Sequence, residues 1–279
     1  MKRTISILGL ISMVLVMSGY FSIIEAVSVT PSVVKFSILP GESKNGTFEI
    51  HNASKGDIYV EVIKKDWILE ENTRKFAEPG THSRSLCQWV TLEEESFDIV
   101  PNQVRKIRYM IEVPKDAQGG YWGLVCFKAQ PLKRSSGIRV ATQLISFIGV
   151  EVEGTLKKKV EITQISAQNV KDKGVILKAN LKNLGNTQIF QPVPEGKFKI
   201  EDKDDNVIAE GKLEGVMILP NETGEYLSEP FKLDKGQYQT IVYFDYGGTK
   251  LIGKKVMLST NTFYDWKVLE KVGSKGVKE

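Results

Sequence analysis

Past residue 26 one pattern dominates the chain: apolar side chains at every second position, in short runs closed by glycine, proline or asparagine turns. Val29, Val33, Phe36 and Ile38 lead into Pro40-Gly41-Glu42, and Thr47-Phe48-Glu49-Ile50-His51-Asn52 then sets Phe48 and Ile50 on one face. Ile58, Val60, Val62 and Trp67 follow; Trp89, Leu92 and Ile99 come after a loop. Val104, Ile107, Tyr109, Ile111 and Val113 end at Pro114, and Tyr121–Phe127 and Ile138–Val152 read as two more strands. Side chains alternate across a strand, so a period of two buries one face. Strand signals every 8–12 residues or so indicate a sandwich or barrel. No long run with helical period interrupts them, which argues against βαβ units.

The pattern restarts near Gly154-Thr155. Val160, Ile162 and Ile165 open a second block, and Val175, Leu177, Ala179 and Leu181 alternate up to Asn183-Leu184-Gly185-Asn186. Phe198-Lys199-Ile200 and Val207-Ile208-Ala209 flank Asp202-Lys203-Asp204-Asp205-Asn206, which reads as a hairpin turn. Leu233 to Tyr238 has the look of a tyrosine corner, a packing device in which the ring hydroxyl bonds to backbone. Leu251–Leu258 reads as the last strand. The expected fold is therefore all-β: two tandem immunoglobulin-like β-sandwich domains at 27–154 and 155–260, with a tail at 261–279. The aromatic part of that tail, with Tyr264 and Trp266, is expected to pack back on domain two or between the domains.

The first 26 residues differ in kind. Lys2 and Arg3 precede an almost wholly apolar stretch from Ile5 to Ile24, with a small residue at Ala26. This is the layout of a secretory signal peptide; an uncleaved anchor is the alternative, because the run is about the length of a membrane span. No later stretch is apolar and long enough to span. The body is thus expected outside the cytoplasm, in the periplasm or at the cell surface. The chain of 279 residues carries 38 basic and 34 acidic residues; dropping Lys2, Arg3 and Glu25 leaves 36 against 33, too even for a dedicated nucleic-acid binder. Two histidines, His51 and His82, and two cysteines leave little material for a zinc site or a histidine-based catalytic centre. No cofactor, no metal and no enzymatic activity are expected.

The first block resembles the immunoglobulin-like N-terminal domain of periplasmic pilus chaperones, the PapD-like domain, and of related two-domain secreted bacterial proteins. The residues that carry the resemblance are Val29-Thr30-Pro31 before Phe36, Leu39-Pro40-Gly41-Glu42 before Phe48-Glu49-Ile50-His51-Asn52, Asp66-Trp67, Ser85 with Trp89, and Val113 to Ala117 running into Gly119-Gly120-Tyr121-Trp122. It covers roughly residues 27–153. It implies a partner: such chaperones offer the last strand of domain one to a subunit that lacks a strand, completing its sheet by main-chain hydrogen bonds. The matching stretch sets Ile138, Val140, Leu144 and Ile148 on one face, interrupted by Thr142 and Ser146. The structural reading of the same alternation, which carries more weight, is a last strand that packs its own core. The chaperones also hold a subunit carboxylate with basic residues in the interdomain cleft. Here Pro31 to Val34 stand where an arginine would be sought, and Arg139, Lys157 and Lys158 are the candidates, against the plainer reading of the lysines as a solvated face.

Cys87 and Cys126 allow a disulfide in an exported chain, or two buried thiols. Asp202, Asp204 and Asn206 have the alternate spacing of a calcium loop but lack its glycine and its closing acid, and read as a polar turn. Glu93-Glu94-Glu95 reads as a solvated acidic stretch. Trp67, Trp122 and Trp89 could stack on sugars, although aromatic rings in a sandwich more often form core. The function these features point to is an exported, non-enzymatic protein that binds another exported protein or subunit, chaperone-like or a surface-assembly factor, by edge-strand pairing. The alternatives are a structural or adhesive surface module and a carbohydrate-binding module.

Overall fold

The computed structural model describes residues 27–70, 73–132, 141–189, 195–260 and 266–272. The N-terminal apolar segment lies outside these residues, as do Ile138, Arg139 and Val140. In the first unit the strands are β1 (Val27–Thr30), β2 (Val33–Ile38), β3 (Ser43–Asn52), β4 (Ile58–Glu70), β5 (Thr73–Ala77), β6 (Val90–Leu92), β7 (Ser96–Ile99), β8 (Val104–Glu112), β9 (Gly119–Pro131) and β10 (Thr142–Val152). One sheet has the order β1-β3-β8-β6; the facing sheet has the order β2-β10-β9-β4-β5, with β7 also on β4. Phe48, Ile50, Ile107 and Ile111 from the first sheet meet Val60, Phe127 and Val150 from the second, none of them more than 1% exposed. Phe48 stacks on Tyr109 at 4.5 Å and meets Phe127 edge-on at 5.2 Å, contacts worth about 0.5–1.5 kcal/mol each beyond their buried area.

The second unit comprises β11 (Val160–Val170), β12 (Gly174–Asn183), β13 (Glu195–Glu201), β14 (Val207–Gly215), β15 (Thr223–Ser228), β16 (Gln237–Asp245), β17 (Ile252–Thr260) and β18 (Trp266–Val272). They form one sheet in the order β11-β12-β15-β14-β13-β16-β17-β18. The sheet folds over on itself: Lys254 Nζ on β17 donates to Ile162 O on β11 at 2.7 Å. The strict alternation of β12 buries Val175, Leu177, Ala179 and Leu181, and that of β16 buries Tyr238, Thr240, Val242 and Phe244. The architecture is all-β, two immunoglobulin-like sandwiches in series. The tyrosine corner is present: Tyr238 OH donates to Asp234 O at 3.1 Å. The 202–206 turn is closed by Asp202, whose Oδ1 accepts from the amides of Asp204 and Asn206 at 2.8 and 2.9 Å. The sheet of domain two runs past residue 260, because β18 pairs antiparallel with β17.

Each unit has the same buried pin. At the end of β3, Asn52 Nδ2 donates to Gly56 O and Ile99 O at 2.9 and 3.0 Å, and its Oδ1 accepts from Ser54 N at 3.0 Å. At the end of β12, Asn183 Nδ2 donates to Thr187 O and Ile218 O at 2.8 and 3.1 Å, and its Oδ1 accepts from Gly185 N at 2.9 Å. Both side chains are wholly buried. Each replaces backbone pairing where the strand has ended and the carbonyls would otherwise be orphaned.

The junction between the units is bonded. Gly119 N donates to Thr155 Oγ1 at 2.8 Å and Gly120 N to Asn186 O at 2.8 Å. Asn186 Nδ2 donates to Thr155 O at 3.0 Å. Trp67, Trp122, Leu124 and Cys126, on the outer face of the β4–β9–β10 sheet, close against Met217 and Leu219 of domain two.

Candidate functional site

Strand β10 has two apolar faces. Its even positions, Leu144, Ile148, Val150 and Val152, pack into the domain-one core, with Ile148 only 3% exposed. Its odd positions, Ile145 and Phe147, lie on the outer face against the Trp67–Trp122 cluster. The face singled out by the alternation is thus directed inward at Leu144 and Ile148, and Ile148 has strand partners on both sides, Gly123 on β9 and Val34 on β2. The continuous run Leu144-Ile145-Ser146-Phe147-Ile148 was the signal for the second face: an uninterrupted apolar strand is covered on both sides.

The N-terminal half of β10 has an open edge. The ladder with β9 runs from Thr142 to Val152, whereas the parallel ladder with β2 starts only at Phe147. Phe147 N donates to Ser32 O at 2.9 Å, so the main-chain groups of Phe147 point toward β2. Strand alternation then points those of Gln143 and Ile145 the same way. Among the described residues no strand pairs with them there.

A change of phase keeps that edge open. Strand β2 turns its even positions, Val34, Phe36 and Ile38, to the core, whereas β1 turns Val27 and Val29, its odd positions. Continuing the β2 register backward would set Val29 opposite Gln143 and swing both valines to the outer face. The chain instead crosses to the other sheet at Pro31-Ser32, where β1 pairs with β3.

The outer face beside this edge is apolar and half-buried. Ile63, Leu69, Ile145 and Phe147 border the Trp67–Trp122 cluster. Val33, in register with Phe147, is 60% exposed, and Phe76, opposite Trp67, is 47% exposed. Arg74 lies over this floor, its guanidinium 5.5 Å from the Trp67 ring and 5.1 Å from the Phe147 ring. Nothing in the sequence pattern marked Arg74; its place follows from pairing with Leu69 across the β4–β5 hairpin. Lys157 and Lys158 lie in the interdomain linker, where Lys157 N donates to Asn186 Oδ1 at 2.7 Å. Lys157 is exposed and Lys158 half-buried.

Cys87 and Cys126 are free and buried. The disulfide permitted by the sequence is not formed, because the thiols lie on opposite faces of the sheet. Cys126 packs with Trp122 and Leu124 outside, whereas Cys87 Sγ sits over the inner side of β9 at Gly123. Burial pushes the Cys87 thiol up to about 12, helped by the Asp66 carboxylate, and burial also raises Cys126. Neither thiol is a nucleophile in this setting, and both are expected to react with a thiol reagent only after denaturation; rapid labelling of the native protein would contradict this burial.

Trp67 and Trp122 are 2% and 6% exposed, which removes them as a sugar platform, and half-buried Trp89 packs on Tyr121 at 3.9 Å. Glu93 and Glu94 are ion-paired rather than merely solvated, with Arg108 and Arg105, each at 2.5 Å. The Arg108 amide and guanidinium hold the Glu93 carboxyl below the usual range.

Behind Trp122 lies a buried polar knot. Asp66, wholly buried, accepts from Ser85 Oγ at 2.6 Å and from Thr81 N at 2.9 Å. His82 stacks on Trp122 at 4.7 Å, accepts from Arg84 N through Nδ1 at 3.2 Å, and holds Nε2 3.9 Å from Asp66. Burial pushes the imidazole below its ordinary value, against the pull of Asp66.

The fold resembles that of PapD-like pilus chaperones over most of the chain. No family model matches the sequence, and no curated protein does. Among solved structures, the Class 5 fimbriae chaperone CfaA is 13% identical, with 89% of this chain and 100% of that chain covered and a TM-score of 0.45. The SafB chaperone in complex with the SafA pilin of Salmonella enterica is 12% identical, covering 82% and 95%, at 0.45. The CsuC–CsuE chaperone–tip subunit complex from the Csu pili of Acinetobacter baumannii is 14% identical, covering 82% and 97%, at 0.42. At such identities the likeness is one of fold.

Proposed function

We propose that this chain is an exported, non-enzymatic protein that captures a strand of another exported protein along β10, as a chaperone-like or surface-assembly factor. The observation that carries this is the open edge at Gln143 and Ile145, which offers main-chain donors and acceptors next to an apolar face. An unpaired edge is a template for another chain, and proteins without a use for one usually blunt it. The signal-like first 26 residues supply the route of export. Partner side chains would reach Ile145 and Phe147 outside, and the Arg74 guanidinium rather than the linker lysines would receive a carboxylate terminus.

Proline substitution tests the edge without breaking the sandwich. At Gln143 and Ile145 the lost N–H faces the open side, a position where a sheet tolerates proline. With a photo-crosslinking residue at Thr142, the parent chain in its native envelope is expected to yield a discrete adduct. The Gln143→Pro, Ile145→Pro double variant, with unchanged circular dichroism, is expected to yield at least about tenfold less, from the loss of main-chain bonds worth roughly 1 kcal/mol each. Equal adducts from both chains would discard edge pairing. Retention at the cell surface with no adduct from either would favour a structural module.

A further inference from the structure

We propose that His82 is a proton-operated catch on the interdomain junction: protonation of its Nδ1 releases the turn that ties domain one to domain two.

The imidazole is wedged between groups that respond oppositely to a proton. Nδ1 is filled by the Arg84 amide, which needs a lone pair there. A proton on Nδ1 would set two donors against each other. Nε2 is buried without a hydrogen-bond partner and faces Asp66 from 3.9 Å, too far for a bond. The charged form thus loses a bond on one side and gains only Coulomb attraction on the other. Two acids near the ring are already engaged by other groups. Asp66 also faces the Cys87 thiol, and Glu78, four residues before His82, pairs with Lys65. Asp116 lies across an adjoining surface pocket that His82, Ser83 and Gln88 also line, which gives solvent protons a path.

Arg84 couples the ring to the junction. Its guanidinium donates to Gln118 O at 2.9 Å and Gly120 O at 3.3 Å, and its own carbonyl accepts from Trp122 N at 3.1 Å. Gly120 N is the donor to Asn186 O of domain two, and Trp122 is part of the cluster closed by Met217 and Leu219. Displacing the 82–84 turn therefore loosens both the polar and the apolar ties.

The sign follows from linkage. The folded imidazole titrates below the unfolded one, so the unfolded chain binds more protons between the two values. The stabilisation is complete above the unfolded value of about 6.5 and is lost as pH falls from there through the folded value.

The experiment is amide hydrogen exchange with histidine NMR on the full chain between pH 7.5 and 5.0, corrected for intrinsic rates. Protection at Arg84 and Gly120 is expected to fall severalfold as the pH drops from about 6.5 and to level off once the His82 Cε1–H has titrated. In His82→Gln, whose side-chain oxygen can still accept from Arg84 but does not titrate, protection is expected to stay level across the range. The proposal fails if His82→Gln loses protection as the parent does. It also fails if His82 titrates in the parent while Arg84 and Gly120 stay protected. Should His82→Gln not fold, the comparison within the parent decides alone.

Discussion

Asn183→Ala is expected to cost about 3–5 kcal/mol of stability, because it strands two buried carbonyls and an amide at roughly 1–3 kcal/mol each, partly relieved by water entering the gap. Thr187 O and Ile218 O lose their donor and Gly185 N its acceptor. Asn52→Ala should act the same way in domain one, through Ile99 O and Gly56 O, with a smaller loss because Gly56 O is only partly buried. Urea unfolding in a Trp266→Phe background, followed by tryptophan fluorescence and by far-ultraviolet circular dichroism, would separate the two, since the remaining Trp67, Trp89 and Trp122 all belong to domain one whereas Trp266 lies on β18 of domain two. Replacement by Asp is no rescue, because a carboxylate offers no donor to either carbonyl. A loss under about 1 kcal/mol in either variant would mean that the pins are dispensable.

The junction glycines carry the second large effect. Gly119 has φ +85°, and a Cβ there would overlap the carbonyl oxygen of Asn186. Gly119→Ala therefore combines left-handed strain of about 1–2 kcal/mol with a clash that backbone cannot relieve. At Gly120 a Cβ would overlap Thr187 Oγ1 and come within 2.7 Å of Gln188 Oε1. Thr187 and Gln188 are 0% and 2% exposed, so neither can swing into solvent. Gly120→Val is expected to part the domains: a larger radius of gyration by small-angle scattering, faster proteolysis near Gly154, and two resolved unfolding transitions. An unchanged scattering profile would show that the junction does not depend on this close approach.

Much of the fold was legible because alternation and turn chemistry act locally. Val175 to Leu181 and Tyr238 to Phe244 sit as the period of two requires, and the Tyr238 and Asp202 devices needed only nearby partners. The extra strand β18 was not read, because Trp266 to Val272 carries charges at three of its positions and gains its order from pairing with β17. The asparagine pins were missed since a polar residue at a strand end looks like the start of a turn. The repeated pairing of Asn52 with Pro101-Asn102 and of Asn183 with Pro220-Asn221 was the available sign. At the candidate site, the strand was legible and its working surface was not. Which of two apolar faces of β10 meets the core depends on the neighbouring sheet, and Arg74 reaches its place only through a hairpin that projects past the sandwich.

The odd-to-even step between Val29 and Val34 has a consequence for which strand β1 can re-join after fraying. A vacancy sealed by its own leading strand would be lost whenever that strand detached and re-annealed. Here any such re-annealing in frame would take Val27 and Val29 out of the domain-one core, so a frayed β1 is favoured to return to β3, and the edge beside Gln143 and Ile145 stays unpaired among the described residues.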